Sequence, residues 1–300
     1  MVSPPQGTSN QPPTSGGRTV DHDGATLHYE LHGDAGDPLL CVMGLGGDLQ
    51  FWERQTPVFA RAHQTVVFDN RGAGRSSKPK GPYTIAQLAD DAAAILDAAG
   101  LARVHVVGLS MGGMIAQELV LRHPDRVGAL VLAATYARAD AGIREVSAEG
   151  ANKLGSPLGM LTSGAIDPAQ LDIRQLFKFL MSLVLSPEFM AREKPWLRSL
   201  LDRILASEPS MDAFLGQVAA VLAHDSTARL TAVRAPTLVM TGDADRLVPP
   251  HHADELAALI PGARLLKVPG GTHGFNIEMP EAFNSPILAF LAEHPLASLR

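Results

Sequence analysis

The chain has a single cysteine, Cys41, in 300 residues, so no internal disulfide can staple the fold and nothing asks for an oxidising compartment. It has no basic excess either. Against 31 Asp and Glu stand 25 Lys and Arg, a formal charge of -6, and without a positive field neither nucleic acid nor an anionic membrane surface is an expected partner. No run of about 18 apolar residues occurs, so no segment reads as a membrane-spanning helix. H-E-x-x-H is absent, and the adjacent His251 and His252 do not share a helix face, so no metal is expected. There is no short-period repeat or heptad run, which sets aside solenoids and long coiled coils. Residues 1–17 are Pro, Ser, Gly, Gln and Asn without the apolar stretch of a signal peptide, and read as a disordered tail. The expected location is the cytoplasm; nothing in the sequence sets the oligomeric state.

What is present is 46% hydrophobic and 19% charged, enough to bury one large core or one core with an inserted subdomain. Residues 25–31, 39–43 and 65–68 are rich in strand formers and bounded by Gly, Asp and Pro. Ile85, Leu88, Ala92, Ile95 and Leu96 then fall on one helical face, with Thr84 and Gln87 placed as a capping box and Gly100 as the stop. Residues 104–109 read as a strand, 114–123 as a helix ended by Pro124, and 129–133 as a strand. Such alternation implies crossover connections and an α/β fold, a mostly parallel central sheet flanked by helices. Between 137 and 230 there are helical patches, such as 175–185 and 195–206, and no strand. The alternation resumes with a strand at 237–241, a helix at 251–259, a strand at 264–268 and a helix near 281–293. The expected organisation is a core of residues 18–136 and 231–300 interrupted by a helical cap at 137–230.

Gly108-Leu109-Ser110-Met111-Gly112 matches G-x-S-x-G between a predicted strand and a predicted helix. A serine hydroxyl needs exposure, aim and a base to act as a nucleophile, and a sharp strand-to-helix turn supplies the first two. The plainer alternative is that Gly108 and Gly112 permit close packing and Ser110 is an ordinary N-cap. Residues 107–113, together with Asp69-Asn70-Arg71-Gly72-Ala73-Gly74-Arg75-Ser76, resemble the α/β-hydrolase superfamily, and more narrowly its esterase and 3-oxoadipate enol-lactonase-like members. The resemblance spans about residues 20–291, is least in the insertion, and speaks to fold and triad more than to substrate.

That resemblance implies a Ser, acid, His order along the chain, which removes His22, His28 and His32 from consideration as the base. His273 lies in Pro269-Gly270-Gly271-Thr272-His273-Gly274, after the last strand, where glycines let an imidazole project over the sheet edge. The loop Gly242-Asp243-Ala244-Asp245-Arg246 offers two acids. The resemblance selects Asp245 to orient His273, leaving Asp243 to bind backbone N–H groups in the turn. It also implies an oxyanion hole from the backbone N–H groups of Met111 and Leu45, although Met43 stands where family members carry a His-Gly start. Asp69, Arg71 and Arg75 read either as residues that hold their loop together or as a Gly-rich turn with solvated arginines.

The insertion carries Met160, Leu161, Phe177, Phe179, Met181, Met190, Trp196, Met211 and Phe214, most of which must form its own core. Trp52, Phe177, Phe179 and Trp196, with the Leu45 side chain, are the candidates for lining an apolar substrate pocket. Arg174, Lys178, Arg192, Lys194, Arg198 and Arg203 read first as solvated helix faces, and second as a place for a carboxylate-bearing substrate. The expected function is a cofactor-free serine hydrolase that cleaves a carboxylic ester or lactone of a small, mainly apolar molecule through an acyl-enzyme. A carbon-carbon bond hydrolase or a cofactor-free perhydrolase on the same triad is the alternative chemistry, and a non-catalytic ligand receptor is the alternative of another class. Serine at the nucleophile position disfavours haloalkane dehalogenation and epoxide hydrolysis, which would look for Asp.

Overall fold

Eight segments pair into one sheet in the computed structural model, which describes residues 16–140 and 173–299. They are β1 (Arg18–His22), β2 (Ala25–His32), β3 (Leu39–Val42), β4 (Thr65–Phe68), β5 (Val104–Leu109), β6 (Val127–Ala133), β7 (Thr237–Gly242) and β8 (Arg264–Val268), in the order β1-β2-β4-β3-β5-β6-β7-β8. β1 with β2 and β2 with β4 pair antiparallel, and all other neighbours run parallel. Every residue of β3 to β7 is buried, as a parallel sheet covered on both faces requires. β1 is an exposed edge strand with weak alternation, which is why the sequence pattern did not disclose it.

The sheet divides the core into two apolar layers. Leu40 and Val42 face one layer while Leu39 and Cys41 face the other, the period-two alternation of a strand. The first layer takes Leu88 and Ile95 of α2 (Ile85–Ala98), Met114 and Leu119 of α3 (Met111–Arg122) and Leu256 of α8 (His251–Leu259). The second takes Phe59 of α1 (Thr56–Phe59), Phe275 of α9 (Phe275–Glu278) and Phe283 and Ile287 of α10 (Pro280–Ala292). Between β6 and β7 lie α4 (Ile173–Val184), α5 (Pro187–Arg192), α6 (Lys194–Ala206) and α7 (Met211–Ala223). Among the described residues no helix is long and apolar enough to cross a membrane. Met160 and Leu161 fall outside the described residues.

Two local expectations change. α3 begins at Met111 rather than at 114: Gly112 and Gly113 are poor helix formers, yet the first turn of α3 packs so closely on its neighbours that nothing larger fits there. A Cβ on Gly112 would lie 2.0 Å from the Val42 carbonyl oxygen, and one on Gly113 2.6 Å from Thr135. At α2 only half of the capping box forms. Thr84 Oγ1 accepts from the Gln87 N–H at 3.0 Å, while the Gln87 side chain donates instead to Asp23 at 2.6 Å, an acceptor brought in by the β1-β2 turn.

Candidate active site

Ser110 sits between β5 and α3 with φ 56° and ψ -122°, a conformation that costs a residue with a side chain roughly 1–3 kcal/mol and persists only where the surroundings enforce it. They do so here through backbone bonds on both sides. The Ser110 N–H donates to the Ala133 carbonyl at 2.9 Å, and the Ser110 carbonyl accepts from the Gly113 N–H and from Thr135 Oγ1, both at 2.8 Å. Gly108 makes the turn possible, since a Cβ there would stand 2.3 Å from the Gly112 carbonyl oxygen. The strain thus holds a half-buried hydroxyl at the C-terminal edge of the sheet.

His273 and Asp245 meet at the neighbouring strand ends. The loops after β7 and β8 pack backbone to backbone: the Ala244 N–H donates to the Gly271 carbonyl at 2.9 Å, and a Cβ on Gly242 would lie 2.1 Å from that oxygen. This places His273 Nδ1 2.8 Å from Asp245 Oδ2, both side chains being buried. Asp245 Oδ1 accepts from the N–H groups of Leu247 at 2.9 Å and Val248 at 2.8 Å, so the carboxylate is fixed before it meets the ring. Asp243 instead accepts from the Gly270 N–H at 2.6 Å, a loop-closing bond. Glu278 accepts from Thr272 Oγ1 (2.6 Å), the Ser186 N–H (2.7 Å) and Ser186 Oγ (2.6 Å), and the Gly274 N–H donates to the Val184 carbonyl at 2.8 Å. The histidine loop is therefore bound to the end of α4.

Opposite lies the loop after β3. Gly44 packs against the serine, where a Cβ would stand 3.1 Å from Ser110 Cβ. The Gly46 N–H donates to Gln217 Oε1 at 2.9 Å and the Gly47 N–H to the Gly44 carbonyl at 3.2 Å. Among the described residues the N–H groups of Leu45 and of Met111, the first residue of α3, have no partner, and the N-terminus of a helix favours negative charge. Fully buried Gln217 of α7 also donates to the Arg71 carbonyl at 2.7 Å, and Asn70 donates to the Met43 carbonyl at 2.9 Å. Asp69 accepts from the N–H groups of Leu49 (2.8 Å) and Arg75 (2.7 Å). Arg71 takes its acid from α2, donating to both oxygens of buried Asp91 at 2.8 and 2.7 Å; those bonds hold its guanidinium above its ordinary pKa.

Ser110, His273 and Leu45 open onto one cavity of about 230 Å³ between the sheet edge and the inserted helices. Its remaining wall is mainly apolar, including Met43, Leu176, Phe177, Leu180, Phe214 and Val218, with Ser210 and Asn276 as polar members, and among the described residues no Lys, Arg, Asp or Glu lines it. It is smaller than the roughly 300–1,000 Å³ of sites for drug-sized ligands.

A family model of the alpha/beta hydrolase fold matches residues 37–280. The chain belongs to that family. The curated relatives include a protein of Azorhizobium caulinodans provisionally named carbamate hydrolase RutD, 36% identical over 269 residues, which span 90% of this chain and 96% of that one. A hydrolase from Pseudomonas aeruginosa PA01 superposes with a TM-score of 0.79 at 32% identity, covering 92% of this chain and 98% of that one. The enol-lactonase of Burkholderia xenovorans LB400 superposes with a TM-score of 0.78 at 29% identity, covering 92% and 100%.

For this hydrolase-family chain the expected pocket residues divide. Phe177 and Leu45 line the cavity; Trp52, Phe179 and Trp196 do not. Trp52 is fully buried beside Phe283, ring centroids 6.2 Å apart, in the second core layer. Trp196 donates its Nε1–H to the Glu53 carboxylate and carries the Arg54 guanidinium 5.3 Å above its ring. Phe179 lies off the stripe that α4 turns inward, which is Ile173, Leu176, Phe177, Leu180, Met181 and Val184. That stripe has the 3.6-residue period, so the signal was available and residue size was the poorer guide. Arg192, Lys194, Arg198 and Arg203 border a separate open groove on the outer face, and Arg174 and Lys178 are exposed. Gln217 and Glu278 were missed, and no local pattern marks them, because their partners come from distant loops.

Proposed function

We propose that this protein hydrolyses a carboxylic ester or lactone of a small, uncharged, mainly apolar substrate through an acyl-enzyme on Ser110. The supporting observation is the placement of Ser110 and His273 together in the wall of an apolar cavity that no charged side chain enters among the described residues. In this reading Asp245 fixes the proton on Nδ1 of His273, so that Nε2 carries the lone pair and takes the Ser110 proton as Oγ attacks the carbonyl carbon. The N–H groups of Leu45 and Met111 receive the oxyanion, each such donor being worth about 10²- to 10³-fold in rate. The same proton then goes to the leaving alcohol, and water repeats the sequence to free the acid. Every proton in this scheme is carried by Ser110, His273 or water.

The substrate reading rests on cost. Burying an unpaired carboxylate costs several kcal/mol, whereas each buried methylene gains about 0.8 kcal/mol. The names of the relatives, carbamate hydrolase and enol-lactonase, support cleavage at an acyl carbon and leave the leaving group open. Labelling with a serine-directed phosphonate, followed by p-nitrophenyl esters from acetate to octanoate beside a carboxylate-bearing lactone, tests both parts. The expected result is a single adduct on Ser110, turnover of the neutral esters, and specificity constants for them above that of the anionic lactone. Ser110→Ala should lose at least about 10⁴-fold in kcat, given the losses seen for a comparable triad. An adduct elsewhere, or esterase activity kept in Ser110→Ala, overturns the nucleophile; an anionic lactone better by about tenfold overturns the substrate class. An adduct on Ser110 without ester or lactone turnover would move the reading to carbon-carbon cleavage, peracid formation or ligand reception.

A further inference from the structure

Asp140, His251 and His252 meet where the chain leaves the sheet for the inserted helices, outside the lining of the Ser110 cavity. Adjacent residues in mid-helix diverge, but these are the first two residues of α8, following Pro249 and Pro250, and there the rings lie against each other, tilted by 35° with centroids 4.1 Å apart. Nε2 of His251 lies 3.0 Å and Nε2 of His252 3.4 Å from the same oxygen, Asp140 Oδ2. One ligand atom from each of the three side chains lies within 4.8 Å of the other two. A tetrahedral zinc ion with bonds of about 2.0–2.1 Å sets its ligand atoms about 3.3 Å apart, close to the two spacings found.

His252 supplies the independent observation. Its ring is 1% exposed and among the described residues neither nitrogen has a hydrogen-bond partner, an unusual state for a buried polar group. Its Nδ1 faces Glu255, with Oε2 at 3.8 Å, the side from which a carboxylate orients a metal-binding histidine. We propose that Asp140, His251 and His252 form a binding site for a divalent transition-metal ion, zinc above all, separate from the serine site.

Two imidazoles and a carboxylate suit zinc and the neighbouring late first-row ions and leave a fourth position for water. The positive end of the α8 dipole and the exposure of His251 weaken the site, while the charges of Asp140 and Glu255 strengthen it. The expected affinity is therefore micromolar, below that of a closed structural cage. A bound ion would clip the root of the insertion to α8, and so to the loop that carries Asp245.

The test is calorimetric titration of chelator-treated full-length protein with zinc, and visible absorption with cobalt as the geometric probe. The expected result is one equivalent bound, a tetrahedral cobalt spectrum, and a melting temperature raised by about 5 °C at a hundredfold excess over Kd. Asp140→Asn and His251→Gln, both at accessible positions, should each weaken binding by at least about tenfold, while His273→Ala leaves it unchanged. No binding tighter than about 0.1 mM, or binding undiminished in Asp140→Asn and His251→Gln, overturns the proposal. Loss of binding in His273→Ala alone would assign the ion to the serine site and overturns it equally.

Discussion

Replacing Gln217 by leucine exchanges a fully buried amide for an alkyl group of similar size and removes both bonds that tie α7 to the loops around Ser110. The Gly46 N–H loses its acceptor at 2.9 Å and the Arg71 carbonyl its donor at 2.7 Å. The bond to the Arg71 carbonyl is buried, and a buried polar group left without a partner costs about 1–3 kcal/mol, whereas Gly46 is exposed and water can replace its lost acceptor, so the fold should lose about 1–3 kcal/mol. The Gly46 bond also restrains the neighbouring Leu45 N–H, one of the two proposed oxyanion donors. If that donor drifts out of line, the loss in kcat approaches the 10²- to 10³-fold of a missing donor, about 3–4 kcal/mol. Gln217→Glu separates the two bonds: an acceptor for Gly46 remains, while a carboxylate replaces the donor opposite the Arg71 carbonyl. Steady-state kinetics on a neutral ester, with thermal melts of each variant, should show kcat down at least tenfold with KM little changed in Gln217→Leu. Gln217→Glu should lose stability but keep more of its kcat. A folded Gln217→Leu enzyme with kcat within twofold of the parent would refute the positioning argument.

In Asp245→Asn the two backbone donors at Leu247 and Val248 keep the amide oxygen at the Oδ1 position, so the amide NH₂ faces His273 and forces the wrong tautomer. The expected fall in kcat is about 10⁴-fold. Asp243→Asn can keep its bond to the Gly270 N–H and should cost less than about tenfold; equal losses in the two variants would move the acid to Asp243. Acid stability turns on two buried rings, His105 and His224, each held down to about 4 by burial. The Ala129 N–H donates to His105 Nδ1 at 3.0 Å, so that ring is neutral in the fold. Because the unfolded chain takes up these protons first, near pH 6.5, their stability is intact above that pH. It falls as the pH drops toward 4, by up to about 3 kcal/mol per ring. Asp48, raised to about 6 by burial and by Asp69, opposes one of them over much the same window. The readout is therefore the slope of melting temperature between pH 6.5 and 4 in His224→Asn against the parent, and an unchanged slope would refute the assignment.

Residues near in sequence were readable because their structure follows from short-range causes. The G-x-S-x-G turn, the alternation of strands and helices, and the helical insertion all rest on periodicity and on glycine's freedom, which act over a few residues. The choice of Asp245 over Asp243 needed a family likeness, since both acids sit in one turn and only packing of the loops after β7 and β8 brings one of them to His273. Phe177 against Phe179 was decidable from the stripe on α4, yet Trp52 was not, because a tryptophan beside a Gly-rich loop fits a pocket wall or a core equally well until Phe283 arrives beside it. Nothing local pairs Gln217 with Gly46 and Arg71, Glu278 with Ser186, Arg71 with Asp91, or His252 with Asp140. A buried polar group must find a partner, but its own sequence says only that one is needed; which one it meets is set when elements distant in the chain are packed against each other.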